Sequence, residues 1–257
     1  MVLTEFILVI GFMVAAFVVS LGAKTNTVVD FFWGIGFVLV AWYSLLFRSS
    51  FEVRQILMTL FITLWGMRLS SYLIYRFWFK GEDLRYLDMA KQWGGNFYVQ
   101  SFFKIYMLQA ILLYLISTSL IVINTHPGSA TLGVIDFLCF GLWMVGFLCK
   151  IIGDRQLQLF LSQSEHKGSI MDRGLWYYTR HPNYFGEMLM WWSLWALAFS
   201  VSGELMVIIS PLTITGIFIF FSVPITESQW DGNIKYQDYK KRTNALIPWI
   251  PSKISNE

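Results

Sequence analysis

Charged residues are scarce in this chain, and their scarcity argues against a soluble fold. Asp, Glu, Lys and Arg make up only 14% of the 257 residues, whereas 56% are hydrophobic; typical soluble domains are roughly 25% charged. Cysteine is nearly absent as well. Cys139 and Cys149 share one apolar stretch at a spacing that puts them on different sides of a helix, so we expect neither a disulfide nor a metal site. The composition predicts an integral membrane protein.

The common nucleotide-binding and catalytic motifs are also missing. The sequence has no Gly-x-Gly-x-x-Gly, no phosphate-binding Gly-Lys-Ser/Thr loop, no His-Glu-x-x-His and no nucleophile elbow. Any nucleotide cofactor must therefore bind without a Rossmann domain. The net charge of +3 falls in clusters between apolar runs. This pattern favours a membrane surface over a nucleic acid as the partner.

Uncharged apolar stretches predict an all-α fold of about seven transmembrane helices in a single membrane domain, residues 1–257. The predicted spans are 4–22, 27–47, 55–75, 103–124, 132–152, 183–202 and 205–225. Residues 1–125 supply the first four helices on the substrate side, and residues 126–257 supply most of the cofactor site. Pro211 predicts a kink in the last helix and Pro224 its end. Lys and Arg concentrate in alternate loops, which predicts an external N-terminus and a cytoplasmic C-terminus.

Two ionisable residues interrupt the predicted second and third spans. Arg68 lies on one helical face with Trp65, Tyr72 and Tyr75, where a guanidinium between phenols could hold a phosphate. It could equally pair with an acid such as Asp30. Asp30 itself could donate a proton, act as an N-cap or pair with Arg68. Ionisable groups at membrane depth are costly, and both residues are therefore functional candidates.

The densest polar stretch runs from Lys150 to Glu187. Asp154 and its neighbours extend the fifth helix beyond its apolar part. Pro182 predicts a helix start whose free N–H groups attract an anion, with Arg180 and His181 beside it. Asn183 and Glu187 lie four residues apart on one face, where an amide and a carboxylate can bind an exocyclic amide such as a nicotinamide carboxamide. The alternative is a basic interfacial loop with a capped helix.

The C-terminal tail holds a Tyr-x-x-Tyr pair and a basic run. Tyr236 and Tyr239 precede Lys240, Lys241 and Arg242. On their own, these residues favour an anchor on anionic lipid.

The motifs resemble the steroid 5-alpha-reductase superfamily, and more closely its bacterial branch of membrane proteins. The similarity rests on Asp154-Arg-Gln, on the run from Asp172 to Glu187 that contains Arg-His-Pro-Asn-Tyr-Phe-Gly-Glu, and on Tyr236-x-x-Tyr239 before Leu246-Ile-Pro248. It also includes Trp65-Gly-x-Arg68-Leu and Gly81-Glu-Asp-x-Arg85-Tyr86. The resemblance covers roughly residues 28 to 250.

The resemblance implies seven helices, a cytoplasm-facing NADPH and hydride transfer to an activated carbon–carbon double bond. Arg68 and Tyr72 match the family's third-helix residues, Asp154 its fifth-helix aspartate, and Asn183 with Glu187 the pair beside the nicotinamide. One difference concerns the substrate. Trp65 stands where the steroid enzymes carry a tyrosine that polarises the substrate carbonyl, and indole cannot act as a general acid.

These observations predict an NADPH-dependent membrane reductase of an apolar lipid, located in the bacterial inner membrane. Asp30 and Glu187 are the catalytic candidates. The predicted cofactor-binding residues are Arg68, Tyr72, Asp154, Lys167, Arg173, Arg180, His181, Asn183, Glu187, Tyr236, Tyr239 and Arg242. The alternatives are a lipid methyltransferase that binds S-adenosylmethionine, because isoprenylcysteine carboxyl methyltransferases share the Arg-His-Pro-x-Tyr run, and a non-catalytic membrane scaffold.

Overall fold

A computed structural model describes residues 2–126, 131–166 and 168–252 of the chain, and every regular element in them is helical. The α-helices are α1 (Val2–Ala23), α2 (Val28–Arg48), α3 (Val53–Lys80), α4 (Leu84–Trp93), α5 (Phe97–Ser101), α6 (Leu108–Thr125), α7 (Val134–Ser162), α8 (Leu175–Tyr178), α9 (Pro182–Ser202), α10 (Ile209–Ile217), α11 (Val223–Ser228) and α12 (Ile234–Arg242). Two π-helical stretches, Phe102–Met107 and Phe218–Ser222, lead into α6 and α11. The predicted all-α class is confirmed.

Six helical segments of the described chain are long and apolar enough to cross a membrane. They are Leu3–Ala23, Val28–Arg48, Val53–Phe79, Arg85–Thr125, Val134–Ser162 and Leu205–Ser228. The predicted span at 183–202 does form a helix, α9, with 21 residues, but it is not among the six because Asn183, Glu187 and three tryptophans lower its hydropathy. The protein is thus an all-helical integral membrane protein.

Two details of the predicted helices need correction. Pro224 does not end the last helix: it lies in the first turn of α11, which continues to Ser228. A proline at that position needs no N–H partner. Asp30 is not an N-cap, because Thr27 occupies that position of α2 and Asp30 lies in the first turn.

The chain divides into two compact units, Met1–Gly133 with Ala198–Ser210, and Val134–Leu197 with Pro211–Glu257. In the first unit α2 packs against α1, α3 and α6. The α2–α3 crossing is close at two glycines, since a Cβ on Gly34 would lie 2.5 Å from the carbonyl oxygen of Gly66. Trp65 faces this core at 2% exposure, with its ring edge-to-face on Phe37 at 5.4 Å. Trp65 is a core residue of the unit.

A buried polar cluster occupies the same unit near the end of α6. The Asn124 side-chain amide donates to the carbonyl of Ala41 at 3.1 Å and to the hydroxyls of Ser44 and Thr59 at 2.9 and 3.3 Å. Gln55 donates to the carbonyl of Asn124 at 3.1 Å. Hydrogen-bonded polar groups in an apolar interior fix helix positions because an unpaired one is costly there.

Candidate functional site

The second unit is built on a close crossing of α7 and α9. A Cβ on Gly146 would lie 2.6 Å from the carbonyl oxygen of Gly186, and one on Gly186 would meet the backbone of Lys150. Seven residues beyond Gly146 on α7, a Cβ on Gly153 would lie 3.2 Å from the backbone nitrogen of Asn183. Small residues at this spacing let two helix backbones touch. The polar residues next to these glycines are therefore forced together.

Four of those polar side chains form the central cluster of the candidate site. The Asn183 side-chain amide donates to Asp154 Oδ1 at 3.2 Å. Lys150 Nζ lies 3.5 Å from Asp154 Oδ2 and 4.0 Å from Glu187 Oε2. Glu187 is buried at 5% exposure. The structure thus brings the predicted residues Asp154, Asn183 and Glu187 together around an ammonium group. We call these four residues the Lys150 cluster.

Arg180 and His181 stand at the start of α9, and both contact Glu227 on α11. Arg180 Nε donates to Glu227 Oε1 at 2.8 Å, and His181 Nε2 lies 3.1 Å from the same oxygen. Lys240 Nζ lies 2.9 Å from the other carboxylate oxygen. Arg180 also donates to the backbone carbonyls of Lys240 and Thr243. Glu227 therefore fixes the loop before α9 to α12.

The two tail tyrosines are buried, at 6% exposure for Tyr236 and 3% for Tyr239. The Tyr239 hydroxyl donates to the carbonyl of Trp176, and the Tyr236 ring stacks on Trp230 at 5.6 Å. Lipid anchoring through this Tyr-x-x-Tyr pair is therefore wrong, because both rings pack on protein. The exposed Trp249 continues the tail, and its backbone N–H donates to the carbonyl of Tyr178.

The tail should detach at alkaline pH. Burial first, and the nearby Glu227 carboxylate second, raise the pKa of Tyr236 to about 12, from about 10 in an unfolded chain. The folded protein holds the Tyr236 proton more tightly than the unfolded chain does. The stability that protonated Tyr236 contributes is therefore complete below pH 10 and is lost as the pH rises to 12. The thermal unfolding midpoint in detergent should therefore fall across that window. Tyr236→Phe should reduce the pH dependence, and the exposed-residue control Tyr178→Phe should leave it unchanged.

The remaining tail candidate, Arg242, pairs with Asp172 at 2.5 Å. The predicted phosphate-binding residue Arg173 is exposed. Lys167 lies outside the described residues. The second unit thus holds nine of the predicted cofactor-binding residues in described positions, and three of the basic ones, Arg180, His181 and Arg242, already have acidic partners.

Asp30, in the first unit, belongs to a chain of charged groups that joins α2 to the α3–α4 loop. Its Oδ1 accepts a hydrogen bond from the Tyr86 hydroxyl at 2.8 Å, and Arg85 Nη2 lies 3.6 Å from Oδ2. Arg85 and Arg76 both pair with Asp83, at 2.9 and 2.6 Å. Burial would raise the pKa of Asp83, but hydrogen bonds from Arg85 and its positive charge outweigh burial and lower it.

A small cleft opens beside this chain of charges, lined by Thr27, Asp30, Phe31, Leu73, Arg76, Phe77, Gly81 and Asp83. Asp30 is thus a half-buried carboxyl group that reaches a cleft wall. Arg68 is half-buried and Tyr72 is 40% exposed on α3. These three predicted residues belong to the first unit and the other predicted residues to the second.

Three functional candidates were missed by sequence reasoning: Lys150, Glu227 and Tyr86. Lys150 lies inside the predicted span 132–152, where the cost of a charge at membrane depth was a signal that pointed to it. Glu227 lies two residues beyond the predicted span 205–225, and no such signal marked it. Tyr86 belongs to the Gly-Glu-Asp-x-Arg-Tyr motif, to which the sequence alone gave no role. Only the structure pairs these residues with Glu187, Arg180 and Asp30.

Comparison with known proteins finds one matching family and several relatives. A family described as "Protein of unknown function (DUF1295)" matches residues 16–243. An uncharacterized protein of Schizosaccharomyces pombe is 23% identical over 230 residues, which cover 78% of this chain and 66% of that protein. No solved structure matches.

Two enzymes are similar over a shorter part of the chain. Protein-S-isoprenylcysteine O-methyltransferase of Dictyostelium discoideum is 30% identical over 132 residues, 43% of this chain and 51% of that enzyme. 3-oxo-5-alpha-steroid 4-dehydrogenase 1 of Mus musculus is 30% identical over 111 residues, 43% of this chain and 41% of that enzyme. The chain spans two thirds or less of these curated relatives. The resemblance to the steroid 5-alpha-reductase superfamily is confirmed, with a reductase and a methyltransferase both among the relatives.

Proposed function

The chain belongs to the DUF1295 family of proteins of unknown function, and from that premise we propose that it is an NADPH-dependent membrane reductase. Its substrate in this proposal is a carbon–carbon double bond in an apolar lipid of the sterol, isoprenoid or fatty-acyl class. The cofactor site faces the cytoplasm, and the membrane is a bacterial inner membrane. Membrane lipids surround the helices and supply or dissolve the substrate.

The Lys150 cluster is the observation that carries this proposal. A nicotinamide carboxamide has an NH2 group that donates and a carbonyl that accepts, so it needs a partner of each kind. Glu187 supplies an acceptor and Lys150 supplies donors, within 4.0 Å of each other. Asn183, four residues before Glu187 on α9, offers an amide with both. The donor set therefore fits the reacting end of the cofactor.

Basic residues of the second unit fit the rest of the cofactor. NADPH carries three phosphate groups, and it supplies the hydride when bound. Arg173 and Arg242 of the second unit would meet the phosphates; the parts predicted for Arg68, Tyr72 and Lys167 rest on the sequence resemblance alone. Arg180 adds positive charge just before α9, where it is already paired with Glu227. Tyr236 and Tyr239 keep the tail packed on that segment.

Asp30 is our candidate for the proton that completes the reduction. Hydride adds to one alkene carbon and a proton must reach the other, so an acid or a water held by one is required. Asp30 lies on a cleft wall, and its Oδ1 accepts a hydrogen bond from Tyr86. That hydrogen bond orients the carboxyl group and leaves its other oxygen beside Arg85.

A methyltransferase is the second candidate, and the charge of the Lys150 cluster favours it. Two carboxylates and one ammonium leave an excess of negative charge, which suits the sulfonium of S-adenosylmethionine. The ion pairs of Arg180 and Arg242 also reduce the number of free phosphate partners. The similarity to the Dictyostelium methyltransferase covers the same share of the chain as the similarity to the mouse reductase.

Cofactor binding to the detergent-purified protein separates these functions. We expect NADPH to bind, by calorimetry or thermal shift, and we expect Glu187→Ala to weaken binding by about tenfold or more, the equivalent of ~1.4 kcal/mol. Arg68→Ala should weaken it as well. Glu165→Ala is the matched control, because Glu165 is an exposed glutamate of the same unit and its loss should leave binding unchanged.

Each alternative has its own result in this experiment. Binding of S-adenosylmethionine and not NADPH would establish the methyltransferase. Binding of neither would favour a non-catalytic scaffold. NADPH binding that both Glu187→Ala and Arg68→Ala leave intact would falsify our assignment of the site.

A further inference from the structure

We propose that Lys150 sets the charge preference of the cofactor site, so that the protein discriminates between the two redox states of its cofactor. This inference rests on the proposed function and assigns a role to a residue that no motif marks. Lys150 lies in the middle of the 29-residue helix α7, one helical turn beyond the crossing at Gly146. Its side chain is only 14% exposed.

The position of Lys150 is fixed by both of its acidic neighbours. Asp154 follows it by one turn on α7, and Glu187 reaches it from α9. Gly146 and Gly186 let the two backbones approach closely, which brings both carboxylates to the same ammonium group. An ammonium at this depth is retained only when it is paired, since the desolvation of a single charge is costly.

The three ionised groups of the cluster carry one net negative charge when each has its ordinary protonation state. This net charge sets the preference of the site between the two charge states of the cofactor. Oxidation turns the neutral dihydronicotinamide ring into a pyridinium cation, so NADP⁺ and NADPH differ by one positive charge at the reacting ring. S-adenosylmethionine and S-adenosylhomocysteine differ by one positive charge at sulfur. In each pair, a more negative cluster favours the cationic member.

The test is the ratio of the dissociation constants of NADPH and NADP⁺, measured by calorimetry on the same preparations without any substrate. Lys150→Met adds one net negative charge, and we expect it to shift the ratio about tenfold towards NADP⁺. Asp154→Asn removes one negative charge and should shift the ratio by a similar factor towards NADPH. If the protein binds S-adenosylmethionine instead, its ratio to S-adenosylhomocysteine should shift in the same two directions.

Charge-preserving variants provide the controls. Lys150→Arg keeps the cation, and the double variant Lys150→Met with Asp154→Asn restores the net charge of −1. Both should keep the wild-type ratio within about twofold. Lys235→Met removes an exposed lysine of the same unit and should also leave the ratio unchanged. If Lys150→Met does not fold, Asp154→Asn and the double variant still test the rule, because they change and restore the charge independently.

The outcomes separate this inference from the proposed function. Opposite shifts for Lys150→Met and Asp154→Asn, cancelled in the double variant, support the role of Lys150. Tight binding of both cofactor forms with one constant ratio in all variants overturns the role and leaves the reductase proposal standing. A wild-type protein that binds neither cofactor overturns both.

Discussion

Replacement of Glu227 by alanine should destabilise the protein by about 3–5 kcal/mol, the cost of removing one partner of a buried ion pair. Arg180, His181 and Lys240 all contact this carboxylate, and Arg180 is only 8% exposed. Without Glu227, the Arg180 guanidinium stays buried and loses the carboxylate that balances its charge. The loop before α9 and helix α12 should then separate, and the thermal unfolding midpoint in detergent should fall.

Tryptic digestion reports this separation directly, because Lys240, Lys241 and Arg242 are cleavage sites within α12. In the wild type the docked helix protects them, and in Glu227→Ala we expect fast cleavage there. Glu227→Gln keeps the shape and one of the two acceptor oxygens, so its effect should be smaller. Glu165→Ala is the exposed control. Equal protection in Glu227→Ala and the wild type would show that the tail is held by its tyrosines alone.

Introduction of a methyl group at the α7–α9 crossing should destabilise the protein nearly as much as the loss of Glu227 does. A Cβ on Gly146 would lie 2.6 Å from the carbonyl oxygen of Gly186 and 3.0 Å from the backbone nitrogen of Met190. Backbone atoms cannot move away as a side chain can, so the two helices must separate. We expect Gly146→Ala to cost about 1–3 kcal/mol, as overpacking does in other protein cores. It should also weaken cofactor binding, because Lys150 and Asp154 would move away from Glu187.

Gly141 offers a matched control on the same helix. A Cβ there has no atom within 4 Å, and alanine is the better helix former by roughly 0.5–1 kcal/mol. Gly141→Ala should therefore leave stability unchanged or raise it, in contrast to Gly146→Ala. Thermal unfolding and NADPH titration of both variants check the pair. A similar stability for the two variants would mean that α7 and α9 are free to slide apart at Gly146.

Local sequence patterns were sufficient to predict where the helices lie. The apolar stretches at 4–22, 27–47 and 55–75 became α1, α2 and α3, because backbone polar groups in lipid must be satisfied within the segment. The extension of the fifth helix through Asp154 was also predicted, and α7 continues to Ser162. The prediction that the last helix ends at Pro224 was wrong, because the π-helical stretch before this proline cannot be predicted from the proline itself.

The sequence by itself determined which residues lie on one helix face, such as Asn183 and Glu187, since their spacing is a property of the helix. It also determined, through the Arg-His-Pro-Asn motif, where the candidate site had to be sought. Only the tertiary structure decided that Lys150 stands between Asp154 and Glu187, that Glu227 holds Arg180 and that Tyr86 meets Asp30. Lys150 and Glu187 are 37 positions apart in the sequence, Arg180 and Glu227 are 47 apart, and Asp30 and Tyr86 are 56 apart. Their partners are chosen by helix crossings, and a crossing depends on the surfaces of two helices together, which neither local sequence contains.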